Sequence, residues 1–168
     1  MKKFIWLVPL LLATVAVAVY ATGAIKLSES SANRFLNDLE TLSVQEKSDA
    51  YCALLHGDLT VSIRDHTVPE LPRDFDAGKA EFCEFVSMAA KGMSLIGPQS
   101  QVTRHDFTVT RSWLHPWTAQ VSYHETRTTR LTRVNATLNT VGDDKWILVN
   151  TLAGVRVLRL ESESRLAD

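Results

Sequence analysis

From Gln101 onward the spacing of apolar residues changes from the period of a helix to that of a strand, and this constrains the fold more than any other feature. Before that point, Phe35, Leu36, Leu39 and Leu42 recur at helical spacing and predict a helix over Ser28 to Leu42. Ser43-Val44-Gln45-Glu46 has the form of a capping box, which predicts a second helix with Tyr51, Leu54 and Leu55 inward and Gly57 at its end. Leu59 to Ile63 alternates as a short strand, and the two prolines of Val68 to Pro72 make a loop. Asp74 or Asp76 then caps a third helix, whose stripe is Phe82, Phe85, Val86, Ala89 and Met93 and which stops at Gly97-Pro98. Beyond it, strands are predicted at Gln101 to Trp113, at Thr118 to Leu131, through Val134, Ala136 and Leu138, and from Lys145 to Val157 with a bend at Gly154. Turns fall at His115-Pro116 and Gly142-Asp143-Asp144, and residues 161–168 read as a polar tail. Helices followed by antiparallel strands argue for the α+β class, with N-terminal helices packed on a curved, mostly antiparallel sheet.

The chain opens with Met1-Lys2-Lys3 and then an apolar run from Phe4 to Ile25 that holds no charged side chain. A spanning helix needs about 20 such residues. Residues 1–27 therefore read as a signal anchor. It places a domain at 28–160 on the outer side of a bacterial inner membrane, with Lys2 and Lys3 inside. The alternative is a removed signal peptide, with small residues at Val19-Tyr20-Ala21 and Ala21-Thr22-Gly23, and a secreted or soluble periplasmic product. Outside the cytoplasm, Cys52 and Cys83 can form a disulfide worth roughly 3 kcal/mol in the chain-entropy model; two separate buried thiols are the other reading. No C-x-x-C occurs, and His56, His66 and His115 lack ligand spacing, so neither a metal nor a cofactor is expected. The formal charge is −1 and no basic block stands out, which argues against a nucleic-acid partner.

The order of elements, together with Gly142-Asp143-Asp144-Lys145-Trp146-Ile147-Leu148-Val149 as a turn leading into a last strand, resembles the NTF2-like (SnoaL-like) superfamily over roughly Ser28 to Val157. The resemblance implies a cone in which the sheet wraps around a cavity, Trp146 packs on the helices and Lys145 stays in water. It also implies a choice of roles, because that fold hosts isomerases, dehydratases and members without catalysis. Membrane-anchored, outward-facing versions include VirB8-like components of secretion systems. Fold alone does not select among these.

Acid–base work in such a cavity needs a carboxylate or His of shifted pKa and a donor for developing negative charge. His105, Asp106, Tyr123, His124 and Glu125 are the candidates. Strand alternation places His105 with Phe107 and Val109, and Tyr123 and Glu125 with Val121, so His105, Tyr123 and Glu125 are the weak catalytic set. The bland reading makes His and Glu cross-strand partners of Arg127, Arg130 and Arg133 on a wet face. Arg127 and Arg130, within a series that includes Arg104 and Arg111, are candidate anion-binding groups. Trp113 and Trp117 are a candidate contact patch or a plug for the cone. Asn135-Ala136-Thr137 matches a glycosylation acceptor but lies in a predicted strand, and no meaning is assigned to it. The expectation is a non-enzymatic envelope protein that binds a protein partner or a second copy of itself, held to the membrane through residues 4–25. The alternative is a small-molecule binder or a lyase/isomerase-type enzyme using the cavity. A third is an inhibitor-like protein acting through its sheet face.

Overall fold

The computed structural model describes residues 12–18, 27–44, 47–68, 73–96, 98–115, 117–132 and 135–167. Beyond a short helical stretch at residues 12–18, the described elements follow in the order α1 (Glu29–Val44), α2 (Ser48–Ala53), β1 (Leu55–His66), β2 (Arg73–Gly78), α3 (Lys79–Ile96), β3 (Pro98–Arg111), β4 (Thr118–Leu131), β5 (Ala136–Thr151) and β6 (Gly154–Leu166). The strands form one curved sheet of order β2-β1-β6-β5-β4-β3. Only β1 and β6 run parallel; every other pair is antiparallel. The α+β class is as expected, and the sheet is mixed.

Ser28 starts α1, its hydroxyl accepting the Ser31 backbone N–H at 3.3 Å. Leu36 and Leu39 from α1, Phe82 and Val86 from α3, Val121 from β4, Leu148 from β5 and Val157 from β6 meet in one core between helices and sheet. Leu27, just ahead of α1, is fully buried there. A six-residue helix such as α2 has little stability of its own. It is held by a Cys52–Cys83 disulfide to α3, by Tyr51 packing on Phe82 and by the Val157 N–H bonded to Leu54 C=O at 3.0 Å.

Several expectations change. The single-pass inner-membrane placement is corrected: among the described residues, no helix is long and apolar enough to cross a membrane. Of the run from Phe4 to Ile25, residues 12–18 are described, as a short helical stretch, and the rest lies outside the described residues. Ser43 starts no helix. It belongs to α1, where its hydroxyl bonds back to Glu40 C=O at 2.7 Å, and Gln45 and Glu46 lie outside the described residues. Gly57 lies within β1. Asp74 and Asp76 cap nothing, because they sit in β2, where Phe75 and Ala77 pack inward and both carboxylates face Arg64 across the strand pair. Phe85 and Ala89 are exposed on α3, and the side chain of Met93 lies outside the described set.

The largest difference lies in β5. Gly142-Asp143-Asp144 reads as a turn, yet β5 passes straight through it because both neighbours, β4 and β6, bond its backbone there. The turn comes at Leu152-Ala153, and Gly154 takes the positive φ (104°) that closes it. Residues Glu161–Leu166, expected as a tail, form the second half of β6 and pair with both β1 and β5. Gly142 is required by close approach: a Cβ there would lie 2.8 Å from Glu163 O of β6. Gly142→Ala should therefore force two strands apart and cost about 1–3 kcal/mol, read as a lower urea midpoint. An unchanged midpoint would mean that β6 yields without cost.

Candidate functional site

The inward face of β3, β4 and β5, roofed by α1 and α2, carries polar groups where a sheet normally buries only apolar ones. Tyr123 sits opposite Asp144 and Val121 opposite Trp146 in the β4–β5 register, and Arg104 sits opposite Glu125 between β3 and β4. Tyr51, Glu40, Arg104, Tyr123, Glu125 and Asp144 surround an inner cavity of about 120 Å³, walled also by Trp146.

Two strand details produce this set. Alternation through Leu148 and Trp146 carries Asp144 inward, because β5 does not turn at 142–144. In β3, the register slips by one residue between His105 and Thr108, and Asp106 has positive φ (52°), which makes a β-bulge opposite Tyr123. One extra residue inverts which side chains face inward. Arg104 therefore shares the inner face with Phe107 and Val109, while His105 is exposed. The expected trio of His105, Tyr123 and Glu125 is corrected accordingly. Tyr123 and Glu125 converge, and His105 stands on the outer face in register with His124.

The hydrogen bonding is directional. Trp146 Nε1–H donates to the Tyr123 hydroxyl at 3.0 Å, and the Tyr123 O–H in turn donates to Asp144. Ser162 of β6 also donates to Asp144. Phe107 stacks on the Tyr123 ring at 5.7 Å. Arg127 Nε bonds Glu125 Oε1 at 2.8 Å, and Arg104 reaches Glu40 Oε2 at 2.9 Å and the Asn37 side-chain carbonyl. Glu40 also receives Arg127 at 3.5 Å, so the two guanidiniums are joined through one helix carboxylate.

Burial raises the Asp144 pKa above its ordinary 3.8, and the nearby Glu125 charge adds to the rise; the Ser162 and Tyr123 hydroxyls and Arg127 offset part of it. Burial and the Asp144 charge push Tyr51 up to about 12 and raise Tyr123 further, so both phenols stay protonated. The cluster thus offers a carboxyl of raised proton affinity beside two neutral hydroxyls in a partly closed space.

Of the other sequence candidates, Arg127 lies at the inner site and is already ion-paired, while Arg130 is exposed on β4. Trp113, 80% exposed, and Trp117 lie in the β3–β4 connection, outside either strand. Asp144, Tyr51, Trp146 and Glu40 are the site residues that the sequence reading did not select, and Arg104, offered there within the anion-binding series, lies at the inner site paired to Glu40. Extending the period of Trp146 and Leu148 backwards finds Asp144; nothing in the pattern turns Arg104 inward, because the bulge is not visible there. A larger concavity, about 580 Å³, lies on the opposite sheet face among Ser122, His124, Lys145 and Glu161. It is open, and its charges are largely matched, Lys145 to Glu161 at 3.2 Å and His124 to Asp143. Among the described residues, no three His, Cys, Asp or Glu side chains could hold a metal.

No protein family matches the sequence, and no protein of curated function matches it. Solved structures do match. A candidate scytalone dehydratase from Novosphingobium aromaticivorans superposes with a TM-score of 0.60 at 13% identity, over 80% of this chain and 82% of that one. An NTF2-like protein with a cystatin-like fold from the same species gives 0.51 at 18% identity, over 83% and 88%. The chain has the NTF2-like fold. A CaMKII hub from S. rosetta also superposes on the chain, with a TM-score of 0.56 at 16% identity, over 80% and 95%. At such identities the likeness concerns the fold alone, which does not select a function.

The Asp144 shift makes a signed prediction. A carboxyl with a raised folded-state pKa adds stability below its unfolded pKa and loses it as pH rises through the folded value. Asp144→Asn removes that loss. In urea denaturation the variant should gain on the wild type as pH rises from about 4 to 7. A stability difference independent of pH would show that Asp144 keeps its ordinary proton affinity.

Proposed function

We propose that this NTF2-like domain is a small-molecule enzyme of the lyase or isomerase type, moving a proton at a carbon next to a carbonyl inside the cone. The observation that carries this reading is Asp144, which faces the inner cavity with raised proton affinity and accepts the Tyr123 hydroxyl. A general base works best when its pKa lies near the working pH, and partial burial moves Asp144 in that direction. Asp144 takes the α-proton, and the electron pair moves onto the carbonyl oxygen. Protonation of the enolate at a different carbon gives isomerisation; departure of a β-hydroxyl gives dehydration. Tyr51 is a neutral donor at the cavity wall, and Tyr123, its ring fixed by Trp146 and Phe107, holds Asp144 through its O–H. The dehydratase-named neighbour lends support to this class over the purely structural envelope role. The matching test needs no knowledge of the natural substrate. In D2O the protein should exchange the α-hydrogens of hydroxyacetone for deuterium, followed by NMR. Asp144→Asn should slow this by about a hundredfold or more. Equal rates for the two proteins would end the proposal.

A second reading, self-association, is favoured by one surface feature. Trp113, Leu114 and Trp117 project from the β3–β4 connection, and Leu152 projects fully exposed from the β5–β6 turn. The Asn150 N–H bonded to Trp117 C=O at 2.7 Å holds the two tips side by side. Apolar groups clustered in this way suit a contact with a second copy, and a CaMKII hub is among the structures that share the fold. Light scattering should then give a dimer mass that falls to the monomer in a Trp113→Ser, Leu152→Ser double variant. A monomeric wild type, or a mass that the variant leaves unchanged, would rule this contact out.

A further inference from the structure

We infer that the Cys52–Cys83 bridge is a redox latch on the inner cavity: its reduction by a dithiol releases α2 and withdraws Tyr51 from the cavity wall. This goes beyond the proton-transfer reading and assumes nothing about what the cavity binds. The starting observation is a pair of adjacent ties. Tyr51 lines the inner cavity, and the next residue, Cys52, is bonded to Cys83 of α3. Tyr51 itself lies against Phe82, the residue before Cys83, with ring centroids 6.3 Å apart. Two successive residues of α2 are thus held by two successive residues of α3, one pair covalently and the other by ring packing.

The rest of the hold on α2 is slight. The helix is six residues long, and Lys47 at its start gives it no side-chain cap. Backbone bonds pin its ends, Lys47 N–H to Leu42 C=O at 3.2 Å and Val157 N–H to Leu54 C=O at 3.0 Å. Tyr51 lies between those pins and depends on the α3 contacts to stay inward. By contrast, α3 is 18 residues long and buries Phe82 and Val86 in the core, so loss of the bridge falls on α2. The sheet is spared, because both cysteines lie on helices. Solvent is near: Cys52 and Cys83 are half-buried, and Ala53 and Glu84 beside them are exposed. The step is thiol–disulfide exchange. A thiolate of the dithiol attacks one bridge sulfur, the S–S bond breaks and a mixed disulfide forms; the second thiol of the reagent then displaces the bound cysteine. Two electrons and two protons end on Cys52 and Cys83, and the dithiol leaves as its own disulfide. Opening the bridge returns chain entropy to a segment of low local stability, and such segments open before the whole fold does.

The test uses the full-length chain with fluorotyrosine in place of tyrosine, followed by ¹⁹F NMR, and dithiothreitol as the dithiol. The Tyr51 and Tyr123 signals are assigned by their loss in Tyr51→Phe and Tyr123→Phe. On reduction without denaturant, the Tyr51 signal should move to the position it has in the unfolded chain, and the Tyr123 signal should stay clear of its own unfolded position. A Cys52→Ser, Cys83→Ser double variant should show the moved Tyr51 signal with no reductant present. If that variant does not fold, reduction of the wild type decides the matter alone. A bridge that dithiothreitol opens only in denaturant, or a Tyr51 signal that stays in place once both thiols are free, overturns the inference. Tyr51 and Tyr123 both reaching their unfolded positions overturns it too, because the bridge would then staple the whole fold rather than latch one helix. None of these outcomes bears on the proton-transfer reading.

Discussion

The pairing of β6 with β1 on one side and β5 on the other is the contact on which the rest of the molecule depends. The chain forms two units that are local in sequence, α2 with β1, β2 and α3, and the meander of β3, β4 and β5. Among the strands, β6 alone pairs with both, parallel to β1 and antiparallel to β5. It closes the core through Val157 and Leu160. It also supplies the Ser162 hydroxyl to Asp144 and crowds Gly142. A parallel pairing between residues so far apart in sequence costs loop entropy before it returns contacts. The disulfide from α2 to α3 shortens that search by holding the first unit together.

The inner face of the sheet is built against the usual preference for apolar cores. Glu40, Arg104, Glu125 and Arg127 form a chain of ion pairs at side-chain exposures between 12% and 37%. Desolvating such charges offsets most of what their attraction contributes, so the chain is a weak source of stability. Its effect is positional. It fixes two guanidiniums, keeps α1 above β3 and β4, and leaves Asp144 as the carboxyl without a dedicated cation. A folded chain keeps a carboxyl in that situation at a cost, and that cost is the usual physical mark of a working site.

Much of this was legible in the residue pattern. The helix at α1 and the strand at β4 follow from periodicity, because Leu36, Leu39, Val121 and Tyr123 repeat at the spacing of their own element. The cysteine pair followed from there being two cysteines in a chain read as exported. β2 was hidden because Asp74 and Asp76 have the chemistry of helix caps; Arg64 on the neighbouring strand makes them sheet residues. Gly142-Asp143-Asp144 has the composition of a turn and becomes strand because backbone donors and acceptors on both sides satisfy it.

What the sequence determined by itself was the set of elements whose stability is local: the amphipathic helices, the long alternating strands and the α+β class that their order implies. The tertiary structure alone decided which polar residues meet. The bulge at Asp106 turned Arg104 inward and His105 outward, and β6 kept β5 extended so that Asp144 faces the cavity. Both outcomes depend on hydrogen bonds to strands distant in the chain, and a one-residue change in register reverses every side chain beyond it. Such non-local bonding leaves no periodic trace in the amino-acid order.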